Sequence, residues 1–163
     1  MDKKSLMIIQ EFQNFTSWVI NLNKVEKELW SVPISEGKWT TSEIIAHIMN
    51  WDNYLLSEII PAVKDGMAMT FPDFNEFNQM ASDYAQSGIS QTSLIKETIQ
   101  KRDLLTKELL NMPVEVLTRH TNANGVASCP HTGEPYSLIY IIKEFIDHDR
   151  HHQNQIIQFL EGK

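Results

Sequence analysis

At 163 residues the chain is long enough to bury roughly 70% of its unfolded surface, as one domain over 1–163. Fourteen Lys and Arg stand against 21 Asp and Glu, and the net charge of −7 argues against nucleic acid or anionic lipid as a main partner. A single cysteine, Cys129, rules out an internal disulfide framework and fits a reducing compartment. The opening MDKKSLMIIQEFQNF lacks a signal peptide's uninterrupted apolar core, and no apolar run approaches the roughly 18 residues of a membrane span. The expectation is a cytoplasmic protein acting on a small molecule, with no membrane partner.

From about Lys4 to Leu22, the residues Ile8, Phe12, Phe15, Val19 and Leu22 fall on one helical stripe. A short turn through Val25, Leu29 and Trp30 follows, and Pro33 and Gly37 mark a loop. Thr40 and Glu43 form a capping box, with Trp39 and Ile44 as its hydrophobic staple. This second helix runs to about Val63 or Lys64, with Ile44, His47 or Ile48, Trp51 and Leu55 facing inward and Pro61 bending its last turn.

Gly66 to Pro72 is a connection, and Asp73 to Ala85 reads as a short helix or two whose Phe71, Phe74 and Phe77 pack on an apolar surface. Such a crossover lets the third helix lie parallel to the second. The third helix begins at Ser90 or Thr92 and ends near Asn111, buried through Ile95, Ile99, Leu105 and Leu109 and stopped by Pro113. Arg119 to Glu134 is loop, and Pro135 opens a fourth helix reaching Phe159. With no strand alternation anywhere, the chain reads as an all-α four-helix bundle.

In the fourth helix, steps of three and four pick out Leu138, Ile141, Phe145, His148, His152, Gln155 and Phe159. His148 and His152 therefore stand one above the other where apolar residues belong. His47 sits on the apolar face of the second helix, one turn before Trp51. A lone histidine on such a face is usually a hydrogen-bonded core residue. Three on the inward faces of two long helices point instead to one shared metal ion, since a buried imidazole without partners costs on the order of 1–3 kcal/mol.

Three neutral imidazoles suit Zn, Ni, Fe or Cu better than Mg or Ca, and leave a coordination position open. Glu144, Asp52 and Asp149 are candidates to support the ring nitrogens facing away from the ion. His151 lies roughly 100° around the helix from His152 and is left out of the ligand set. His120 and His131 fall in or near the long loop and are also left out, although Cys129-Pro130-His131 can approach the mouth of the site.

Two segments carry a family resemblance. Gly37-Lys38-Trp39-Thr40 with Glu43-Ile44-Ile45-Ala46-His47, and His148-Asp149-Arg150-His151-His152 with Gln155-Ile156, resemble the DinB/YfiT-like superfamily. These are damage-inducible DinB-like proteins, distinct from the DNA polymerase of the same label. The resemblance implies an up-down-down-up bundle, often a homodimer, with a metal held by His47, His148 and His152. Gln153-Asn154 stand where relatives often carry Arg-Gly, at positions that are not ligands.

Characterised relatives include transferases that join low-molecular-weight thiols such as bacillithiol to electrophiles, and a mycothiol-dependent maleylpyruvate isomerase. Three readings follow from the site and the resemblance together. The first is a metal-dependent thiol S-transferase. The second is a hydrolase using a metal-activated water, and the third a non-enzymic bundle that binds a metal or small molecule.

Overall fold

The computed structural model describes residues 1–163 and is helical, without strands. Helix α1 spans Lys3–Val19, opened by the Asp2 side chain accepting from the Ser5 amide at 2.9 Å. Its apolar line Ile9, Phe12, Phe15 and Val19 is buried. The α-helix stops at Val19 and tightens into a 3-10 segment, Ile20–Lys24. There Asn21 and Asn23 turn their amides onto the Ser17 and Ile20 carbonyls, competing with regular helix. Helix α2, Lys27–Trp30, is the short turn that seats Trp30 in the core.

Helix α3, Thr41–Tyr54, begins with the capping box: Thr40 Oγ1 accepts from the Glu43 amide and Glu43 returns the bond. The other Glu43 oxygen accepts from Ser82 and ties this helix start to the crossover between the second and third rods. Leu55–Ile59 is a π turn, followed by α4, Ile60–Lys64. The physical reason is Pro61. It lacks an N–H and its ring would collide with the carbonyl four residues back, so the rod widens by one residue before it. Helix α5, Phe74–Ala85, is one continuous helix capped by Asp73 and packed on α3.

Helix α6 spans Gln91–Leu110 behind the Ser90 cap, and a further short helix, α7 (Val114–Thr118), follows Pro113 where the sequence suggested none. Helix α8, Leu138–Glu161, starts three residues later than expected. Its cap is Ser137, which accepts from the Tyr140 amide, while Pro135 pairs with Ser128 in an isolated bridge. The loop before it is pinned. Asn124 and Gly125 take positive φ in a two-residue turn closed by paired Ala123 and Val126 bonds, and Met69 bonds both Asn122 and Asn124.

The four long rods are α1, α3 with its extension to Lys64, α6 and α8. Helix α1 lies between α6 and α8, and α3 packs on α6. The apolar core has two parts, one around Phe12, Leu55, Leu105 and Ile142, the other around Phe15, Ile45, Ile95 and Ile156. No helix is long and apolar enough to cross a membrane.

Candidate metal centre

In α8 a buried line runs through Ile142, Ile146, Asp149 and Ile156. Phe145, His148, His152, Gln155 and Phe159 lie half-buried beside it. The histidines therefore face a cavity edge and not the dry core. On α3 and into its π turn the line His47, Trp51, Leu55 is buried, and the staple residue Trp39 covers the His47 ring at 5.0 Å. The structure brings the three selected histidines together: their ligand atoms lie within 4.8 Å of one another. Ring centroids are 4.9 Å apart for His47–His148, 5.0 Å for His47–His152 and 4.6 Å for His148–His152.

His47 Nε2 is 2.9 Å from His148 Nε2, closer than two lone pairs can approach without a proton or a cation between them. The His152 Nδ1–H donates to Gln155 Oε1 at 2.8 Å, leaving Nε2 as the unprotonated nitrogen. The Nδ1 atoms of His47 and His148 are buried without partners. Burial, reinforced by His148 and then His152, lowers the His47 pKa to about 3. Burial and His148 lower that of His152 to about 4. Both rings are thus neutral at physiological pH, the form that binds a metal. Three clustered imidazoles with orphaned nitrogens fit a divalent metal ion.

Of the three carboxylates offered as support, Asp52 and Asp149 make no hydrogen bond to the far ring nitrogens. Both are claimed by Arg102, a buried residue that sequence reading missed. Its Nε and Nη2 donate to Asp52 at 2.7 and 3.1 Å, Nη2 also to Asp149 Oδ2 at 2.9 Å, and Nη1 to the Phe12 carbonyl at 2.7 Å. The guanidinium stacks 3.7 Å over Phe12 and 5.0 Å from Phe15, joining the two parts of the core. Burial works against its charge, but Asp149 and Asp52 more than offset this and raise its pKa. Asp149 keeps one oxygen, Oδ1, without a hydrogen bond, 3.8 Å from the equally unpartnered His148 Nδ1.

A signal for Arg102 was present. Ile95, Thr98, Arg102, Leu105 and Leu109 repeat the three-four spacing that exposed the histidines, with a charge in the middle. Asp52, between Ile48 and Leu55, and Asp149, after Ile142 and Ile146, do the same.

Beside the histidines lies a cavity of about 550 Å³, walled by α3, α5, α8 and the pinned loop. Trp51, Phe71, Phe74 and Phe145 line it together with His47 and His148. Glu144 is the carboxylate in the lining, one turn before His148. Cys129, Pro130 and His131 form part of the wall, whereas His120 and His151 are exposed and outside the cluster. The Cys129 thiol faces Glu144 Oε1 at 3.8 Å, and its pKa is lowered to about 7, chiefly by Tyr140.

The chain is similar in structure to YfiT from Bacillus subtilis, described as a "probable metal-dependent hydrolase with an unusual four-helix bundle topology". The match has a TM-score of 0.72 at 13% identity and covers 98% of this chain and 87% of that one. At such identity the likeness speaks for the fold. No curated protein sequence matches significantly. The sequence profile of the DinB superfamily matches residues 10–156, a stretch that includes all three clustered histidines, and the chain therefore belongs to that superfamily.

Proposed function

We propose that the protein is a divalent-metal-dependent enzyme that joins a low-molecular-weight thiol of the bacillithiol type to an electrophile, with His47, His148 and His152 as ligands. The observation that supports this is the convergence of three imidazoles, within 4.8 Å, at the edge of a 550 Å³ cavity with mostly apolar walls. A Zn, Ni or Fe ion bound there supplies the Lewis acidity that lets a thiol ionise near neutral pH. The chain's own residues do the rest. Neutral His47 and His152 offer lone pairs without competing for protons, and the aromatic walls give the sulfur an apolar surrounding.

Glu144, in the cavity lining one turn before His148, would take the thiol proton. The S–H bond breaks, a C–S bond forms, and the leaving group departs with its bonding pair. Where the electrophile is an activated alkene, the proton ends on carbon. The reading carries with it a cytoplasmic homodimer, and light scattering on purified protein decides the dimer.

The test is to purify the protein without a histidine tag, measure bound metal, and assay bacillithiol, mycothiol and glutathione with a fluorogenic electrophile. The expected result is near-stoichiometric metal and thiol-dependent turnover, both lost in His148→Ala. No rate above that variant with any thiol overturns S-transfer. Hydrolysis is a second reading, favoured by Glu144 as a general base in the cavity and by the description of YfiT. It requires metal-dependent turnover of an ester or amide without added thiol. A ligand that raises thermal stability while no assay turns over would leave a non-enzymic binding bundle.

A further inference from the structure

The walls of the cavity are chemically one-sided. Trp51 sits at the centre of an aromatic group, its ring 5.6 Å from Phe74 and 5.8 Å from Phe145, and Phe145 is 5.9 Å from the His148 ring. Phe74 is 60% exposed although it lines the cavity, so an apolar face waits at the mouth for a partner. Among the lining residues there is no lysine or arginine, and Glu144 is the one carboxylate.

A ligand's anionic body would find no counter-charge on these walls and would lose its hydration on entering. The other polar groups are uncharged or histidine: the His131 imidazole, the Tyr136 hydroxyl, the Cys129 thiol and two amides. Asn78 Oδ1 accepts from Trp51 Nε1 at 3.3 Å, and Asn124 Oδ1 accepts from the Phe71 amide at 2.7 Å. Each side chain keeps an NH2 group without a protein hydrogen bond, suited to a neutral carbonyl or hydroxyl. The pinned loop and the crossover hold this arrangement in place through Met69.

We infer that the cavity takes an uncharged small molecule with a planar aromatic body, which lies against Trp51, Phe74 and Phe145 and turns one donor or reacting atom toward the histidines. The inference rests on the enzyme reading above and names the class of its electrophile. Phosphorylated and polycarboxylate acceptors are disfavoured by the side chains of these walls through the same charge argument, the histidine-bound ion aside. Aromatic ligands gain from face and edge contacts that a flexible aliphatic chain of equal volume lacks.

The test separates the walls from the metal. Calorimetry in EDTA compares 2-naphthamide with 2-naphthalenesulfonate, two probes that share an aromatic body and differ in charge. The neutral probe is expected to bind about tenfold tighter or more. It should also slow alkylation of Cys129, the single thiol of the chain and part of the cavity wall. Phe74→Ala, a change at an exposed position that leaves the core intact, should weaken it about threefold. Glu144→Gln should narrow the gap by improving sulfonate binding.

Equal or tighter sulfonate binding, no binding of the amide, or an amide affinity untouched by Phe74→Ala overturns the inference. Failure of the metal reading shows separately, as wild-type protein that binds no ion yet still prefers the neutral probe.

Discussion

His47, His148 and His152 differ in what holds their far nitrogens. Gln155 fixes His152, while His148 has only the unsatisfied Asp149 oxygen 3.8 Å away. Asp149→Asn removes that carboxylate but leaves Arg102 bonded to Asp52, so the fold should survive. Metal affinity should fall about 10–100-fold, as read by competition with a chromogenic chelator. Arg102→Ala strands two buried carboxylates and should cost about 3–5 kcal/mol in urea unfolding.

The histidines also set a pH dependence in metal-free protein. With folded pKa values of about 3 and 4 against the ordinary 6.5, the unfolded chain binds more protons in between, so stability rises with pH across that window. Asp52, which burial pushes up to about 6 against the pull of Arg102, acts in the opposite sense between its ordinary value and 6. Two histidines against one carboxylate should leave a thermal midpoint that falls as pH drops from 6.5 toward 4. Removing His47 should flatten that fall.

At the scale of elements, each long rod carries an apolar line with steps of three and four, and the lines of α3, α6 and α8 each admit charged or titratable residues. The same spacing that placed the histidines places Asp52, Arg102 and Asp149 in the interior. The start of α3 matters for the site because it sets the register of His47. Its capping box was legible in Thr40 and Glu43, but the bond from Ser82 to Glu43 was not, since nothing local pairs residues 39 positions apart. Thr40→Ala should cost about 1 kcal/mol, measured by thermal unfolding, and should loosen the turn preceding His47. The late start of α8 has a local cause too: Ser137 can cap with its hydroxyl, whereas Pro135 is taken up by the bridge to Ser128.

Across the whole molecule, the candidate centre joins two rods distant in the chain, with α3 supplying His47 and α8 the other two histidines. An ion shared by them links these rods in the folded state only. Metal at about 100 times its Kd should therefore stabilise the protein by about 2.7 kcal/mol. At this chain length that is a rise in Tm of roughly 5–10 °C, reversed by EDTA and absent in His47→Ala. The cavity is a property of the assembly as well. Its walls come from the crossover, the long loop and two rods, and they meet because Met69 pairs with Asn122 and Asn124.

Periodicity and capping chemistry are local, so residue order alone determined the four helical rods, the all-α class and the sharing of one helix face by His148 and His152. Which nitrogens approach one another, which carboxylates Arg102 claims and which aromatic rings surround the cavity depend on contacts between residues far apart in the chain. Those contacts arise when the faces pack, and only the tertiary structure decided them.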